Sequence, residues 1–172
     1  AGLSTTPERL SRVDFSIPYI SSEIGILYRK EDNFANYKDL KGKKIAFVDE
    51  NSTSGYLYPK AFLKKQNLAQ DYFSAQVFSG SHVNSVHMLE QKQVDAIAVF
   101  ADDTNGQQTA FTKFSTVKNK MKTQLIWVSE PIPNDPFCVR QDFYDKNPKL
   151  THDLMFALID IFEKLKDKKE VL

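Results

Sequence analysis

The chain has 172 residues, 41% hydrophobic and 26% charged, with a formal net charge of +1 from 23 basic and 22 acidic side chains. That balance supports a globular core and carries no basic stripe of the kind that binds nucleic acid. The single cysteine, Cys138, excludes an intrachain disulfide framework and a cysteine-built zinc site, and no apolar run approaches the ~20 residues that span a bilayer.

The first extended run in the chain is Gly25-Ile26-Leu27-Tyr28, ahead of a polar stretch. Ile45-Ala46-Phe47-Val48 reads as a buried strand, and Tyr58, Ala61, Phe62, Lys65 and Leu68 follow it with helical spacing. A second strand, Ala75-Gln76-Val77-Phe78, precedes a helix running from Val83 to Glu90. The run Asp95-Ala96-Ile97-Ala98-Val99-Phe100 is a third strand. A weaker helix is expected over residues 107–121, then a fourth strand at Leu125-Ile126-Trp127-Val128. Continuous apolar strands alternating with helices predict an α/β layer covered on both faces, with parallel strands. Phe137-Cys138-Val139-Arg140 is extended. The last helix carries a wide apolar stripe from Leu150 through Leu154, Met155, Leu158, Ile159 and Phe162 to Leu165. Residues 31–136 then form one α/β lobe, while 1–30 and 137–172 belong to a second, incomplete lobe. Crossings near residues 30 and 133 act as hinges, with a ligand cleft expected between the lobes. The second lobe is expected to leave the Leu150–Leu165 stripe exposed unless a further segment or another copy covers it. The opening Ala1-Gly2-Leu3-Ser4 reads as the interior of a longer protein, with no leader sequence.

The most informative stretch is Asn51-Ser52-Thr53-Ser54-Gly55-Tyr56, three consecutive hydroxyls at a strand-to-helix turn. The first turn of a helix has free N–H groups and a partial positive charge, so hydroxyls beside it suit an oxyanion. The same residues also suit simple helix capping, for which one Ser or Thr suffices. Pro59 must fall near the first turn, which puts the helix start near Gly55. Ser79-Gly80-Ser81-His82 repeats the arrangement after the second strand, and parallel strands bring their carboxyl ends to one edge. His82 therefore falls near Ser52–Ser54, either as a ligand donor or as a polar cap. Asp102 and Asp103 follow the third strand and Asn134 and Asp135 the fourth; near an anion, such acids suit a ligand that also carries an amine or a proton. His82 and His87 are five apart, a poor spacing for a metal on one helical face, and no metal or other cofactor is expected. Phosphate-binding glycine loops and a nucleophile elbow are absent from the sequence. No nucleophile, base and orienter assemble, so catalysis is not expected.

The run Asn51-Ser52-Thr53-Ser54-Gly55-Tyr56-Leu57-Tyr58-Pro59 closely resembles the anion-binding turn of periplasmic phosphonate- and phosphite-binding proteins of ABC importers, which have the type 2 periplasmic-binding fold. Leu40-Lys41-Gly42-Lys43-Lys44-Ile45-Ala46-Phe47, Phe78-Ser79-Gly80-Ser81-His82, Val94-Asp95-Ala96 and Pro131-Ile132-Pro133-Asn134-Asp135-Pro136 are similar to segments of that family, in family order. The resemblance spans most of residues 24–160. It implies binding of a phosphonate- or phosphate-like anion, with Ser52, Thr53, Ser54, Gly55 and Tyr56 around the oxyanion and His82 as a further donor. It also implies Asp102 against a ligand amine, Asp135 in a matching turn and Tyr19 from the other lobe. The partner implied is a membrane permease, and the location periplasmic; the alternative is the same fold as the sensing domain of a signalling receptor. Thr5-Thr6-Pro7-Glu8-Arg9 with Phe15-Ser16-Ile17-Pro18-Tyr19 looks more like amino-acid-binding relatives.

Overall fold

A computed structural model describes residues 13–18, 21–68, 72–101, 105–117, 120–133 and 136–165. The chain divides into two compact units: unit 1 comprises residues 1–21 and 133–172, and unit 2 residues 22–132. Among the described residues no helix is long and apolar enough to cross a membrane.

Unit 2 is a sheet with helices on both faces. Strands β2 (Ser21–Arg29), β3 (Lys44–Phe47), β4 (Ala75–Phe78), β5 (Ala96–Ala101) and β6 (Thr123–Val128) lie in the order β4-β3-β5-β2-β6, and a two-residue β7 (Ile132–Pro133) adds to β2. β3 pairs in parallel with β4 and β5, whereas β2 runs antiparallel to β5 and β6. The crossover from β3 to β4 is helix α1 (Tyr58–Lys65), and α2 (His82–Glu90) carries the chain from β4 back to β5. Period-two alternation divides the core. Ile26, Tyr28, Ile45, Phe47, Ala96 and Ala98 face Leu63 of α1, while Leu27, Ala46, Ile97 and Val99 face Val86 and Leu89 of α2 with Phe111. Each fully buried aliphatic or aromatic side chain here stabilises the fold by roughly 1.5–3 kcal/mol.

Residues 22–29, expected in the flanking lobe, instead supply a central strand of unit 2. Their run Ile24-Gly25-Ile26-Leu27-Tyr28 is buried on both faces, which only an interior strand allows. The helix expected over 107–121 is confined to α3 (Ala110–Phe114). The reason lies in Glu90, whose carboxylate accepts hydrogen bonds from Ser115 Oγ (2.6 Å) and Thr116 N (3.0 Å) and so draws the chain out of helical geometry. Burial raises the Glu90 pKa, but hydrogen bonds from Ser115, His87 and the Thr116 and Val117 backbone outweigh it and hold the group below its ordinary value. A depressed carboxyl stabilises the fold above its unfolded pKa of about 4.3, and that contribution disappears as pH falls through the lower folded value. The stability difference between wild type and Glu90→Gln, measured by urea unfolding, should therefore be largest near pH 6–7 and shrink below about pH 4. A difference that does not change with pH would show that the Glu90 charge is irrelevant.

At the sheet edge where β3 and β5 begin, Arg29 is 4% exposed. It donates to Val94 O (2.6 Å), Leu89 O (3.2 Å) and Asp95 Oδ1 (3.3 Å), and pairs with Asp32 at 2.8 Å. The other Asp95 oxygen accepts from Lys44 N. One guanidinium thus ties the end of β2, the end of α2 and the starts of β3 and β5.

Unit 1 contains a two-stranded antiparallel ribbon, β1 (Val13–Pro18) with β8 (Pro136–Arg140), in register Asp14↔Val139 and Phe15↔Cys138. Helices α4 (Gln141–Lys146) and α5 (Pro148–Leu165) follow. Within unit 1, Leu150 and Leu154 of the α5 stripe are about half exposed, whereas Thr151 is buried.

Candidate functional site

The chain leaves β3 at Phe47 and enters a wide π-helical turn over Thr53–Leu57 before α1 begins. Leu57 N reaches back to Ser52 O at 2.9 Å, the i→i+5 spacing of that turn, and Pro59 stands in the first turn of α1, where its missing N–H costs nothing. Ser52 Oγ accepts from Gly55 N at 3.0 Å. Capping and anion binding are thus compatible: the Ser52 hydroxyl accepts from the backbone and keeps its own O–H to donate. Gly55 is buried, and a side chain there would collide with Val48 and approach Ser52 Oγ to 2.9 Å, so only glycine lets the turn fold onto the strand end.

The loop after β4 is stitched to the same place. Ser79 N and Gly80 N donate to Phe47 O and Val48 O at 2.9 and 2.8 Å, and Gly80 takes a φ of +79° that a glycine adopts without strain. Ser81 Oγ then caps α2 by accepting from Asn84 N. The consequence is a direct contact between the two helix starts, with Ser54 Oγ 3.2 Å from His82 Nε2. The His82 ring meets Phe100 edge-on at 5.1 Å. Burial holds the His82 pKa below its ordinary value against the opposing charge of Asp49, so the imidazole is neutral at pH 7. Its Nδ1 is sealed from solvent without a hydrogen-bond partner among the described residues.

Of the residues expected at the site, Ser52, Thr53, Ser54, Gly55 and His82 therefore share one sheet edge. Tyr56 lies in the same turn, but its ring packs edge-on against Phe47 and Phe78 at 5.1 Å each, joining the core on the α1 face. Tyr19, Asp102 and Asp135 lie outside the described residues, as do Asp103 and Asn134. Phe78 and Phe100, the aromatics near the ends of β4 and β5, are not among the expected site residues; their signal is position alone, a large ring at the end of a strand whose edge carries the hydroxyls. Among the described residues no group of His, Cys, Asp and Glu side chains is arranged to hold a metal ion.

Comparison with known proteins gives this geometry its context. Residues 21–172 match the model of the family described as ABC transporter, phosphonate, periplasmic substrate-binding protein. Over 120 residues the chain is 33% identical to the phosphate-import protein PhnD of Mycolicibacterium smegmatis, covering 66% of this chain and 36% of that one. Over 152 residues it is 28% identical to the phosphonates-binding periplasmic protein of Escherichia coli, covering 86% of this chain and 42% of the relative. The chain thus spans less than half the length of these relatives. In fold it is similar to PhnD1 of Prochlorococcus marinus, solved in complex with methylphosphonate, with a TM-score of 0.58 at 19% identity over 78% of this chain and 51% of that one. Its α/β architecture is accordingly part of a type 2 periplasmic-binding fold, and the chain belongs to the family of phosphonate-type periplasmic substrate-binding proteins of ABC transporters.

Proposed function

We propose that this chain binds the oxyanion head of a small phosphonate- or phosphate-like ligand at the Ser52–Tyr56 turn and His82, and that it does so for import through a membrane permease outside the cytoplasm. The observation that carries the reading is the Ser54–His82 contact, which brings two helix N-termini with hydroxyl donors to one point. Neutral donors at helix starts bind an anion without requiring a buried cation. The family description, which names an ABC transporter, favours import over sensing and binding over turnover. We assign Asp102, which follows β5, to an amine on the ligand.

Calorimetry on the protein tests both levels. Methylphosphonate, phosphite and phosphate should bind, and arginine should not; binding of arginine alone would replace the anion reading with an amino-acid one. Between ligands of equal length, 2-aminoethylphosphonate should bind more tightly than ethylphosphonate, and Asp102→Asn should narrow the gap. A carboxylate near a phosphonate is repulsive, the more so at low dielectric, unless an ammonium lies between them. Equal wild-type affinities for the two, or a ratio unchanged in the variant, would remove Asp102 from that role while leaving the anion site intact.

A further inference from the structure

The two ring nitrogens of His82 stand in unequal settings. Nε2 lies 3.2 Å from Ser54 Oγ, whereas Nδ1 is sealed from solvent and has no hydrogen-bond partner among the described residues. The ring sits on the first residue of α2, directly after the Ser81 cap, and packs edge-on against Phe100. Burial keeps it neutral against the charge of Asp49, so two tautomers compete. In one, the proton is on Nδ1 and Nε2 accepts from the Ser54 hydroxyl. In the other, Nε2 carries the proton and donates to Ser54 Oγ. The first form seals an N–H away from every acceptor. Among backbone groups, orphaned buried N–H donors are rarer than under-satisfied acceptors, and the same cost applies to a ring N–H. The second form leaves only a lone pair at Nδ1, and is the one this surrounding favours.

The tautomer decides what Ser54 does. A hydroxyl has one proton to give. If Ser54 gives it to Nε2, an oxyanion meets only lone pairs on that oxygen. If Ser54 Oγ accepts from Nε2–H, the hydroxyl proton stays free for the anion. Ser52 already stands in this relation to the backbone, its Oγ accepting from Gly55 N. Both hydroxyls are then set as donors before a ligand arrives, which lowers the cost of ordering them on binding. We propose that His82 is a positioning residue: as the Nε2–H tautomer it fixes the Ser54 hydroxyl as a donor, and so serves the anion through Ser54. This rests on the anion reading of the Ser52–Ser54 turn.

Two measurements test it. Nitrogen-15 spectra of the histidine-labelled protein at about pH 8, above the ordinary histidine range, should show His82 with a protonated Nε2 and a bare Nδ1. The chain has three histidines, and loss of a signal in His82→Gln identifies the ring. Calorimetry with methylphosphonate then closes a double-mutant cycle. His82→Ala should weaken binding by about tenfold or more in the wild type, but by less than about twofold in the Ser54→Ala background, because the two side chains form one path to the anion. His82→Gln, which restores an N–H donor, should recover most of the loss seen in His82→Ala. Urea unfolding of each variant separates a lost contact from a lost fold. A bare Nε2 would overturn the proposal and leave the anion site standing; so would additive losses in the cycle, or no recovery in His82→Gln. Wild-type protein that binds no oxyanion would overturn the anion reading and this proposal with it.

Discussion

Changing Thr53 and Ser54 together to Ala is expected to weaken anion binding at least a hundredfold. Hydrogen bonds to a charged group contribute roughly 1.5–3 kcal/mol each, and about 1.4 kcal/mol corresponds to a factor of ten, so the loss of two reaches that range. Ser54 has a second role, since its hydroxyl meets His82 Nε2 at 3.2 Å and its removal also frees the ring proposed as a further donor. Ser52 is left in place on purpose. Its Oγ caps Gly55 N, and removing a cap costs about 1 kcal/mol of fold stability, which would confuse the reading. Calorimetry of the double variant, with urea unfolding as the control for folding, makes the comparison. Unchanged affinity in a folded variant would take the turn out of the site.

The largest effect on stability is expected from Arg29→Met, a loss of about 3–5 kcal/mol in urea unfolding, the range found when one partner of a buried pair is removed. The guanidinium is nearly inaccessible and donates to two backbone carbonyls and to Asp95, with Asp32 alongside. Methionine replaces its volume but removes a donor shared by both carbonyls and both carboxylates, of which Leu89 O keeps Lys92 N and Asp95 keeps Lys44 N. Combining Arg29→Met with Asp95→Asn should recover part of the loss, because the orphaned charge then disappears; such coupling is expected of residues in one network. A single variant that loses less than about 1 kcal/mol would show that water takes over these contacts.

Much of this architecture was legible because its signals are local. Ala75–Phe78 was read with the bounds the structure gives, since a short apolar run between polar turns has few other uses. The hydroxyls at Ser52–Ser54 and the Ser81-His82 helix start were placed together by topology alone: parallel strands share an edge. Tertiary effects were less visible. Gly25–Tyr28 read as a peripheral run because nothing nearby in sequence says which strands will flank it, and its partners, β5 and β6, lie some 70–100 residues away. The helix expected to reach residue 121 stops at Phe114 because Glu90, 25 residues earlier, competes for the backbone at 115–117. Tyr56 stands in the expected turn, but the aromatic cluster that holds its ring comes from two different strands, which nothing local in the sequence announces.

The insertion of unit 2 into the chain of unit 1 bears on the order of assembly. Phe137 N and Ser16 Oγ, which join β8 to β1, are 121 residues apart in sequence. Closing a loop of that length carries an entropic cost that grows with the logarithm of its size, and contacts so distant slow folding. Unit 2, however, holds its own ends together: Ile24 N bonds Ser129 Oγ across 105 residues, and Ser129 N bonds Ile24 O. Once that unit has formed, the path still to be closed between Ser16 and Phe137 shrinks to about sixteen residues, and the entropy of closure falls by roughly 2 kcal/mol. All of unit 2 also leaves the ribosome before β8 does, so the synthesis order and the cheaper closure point the same way. Unit 2, by forming first, shortens the closure that unit 1 still has to make.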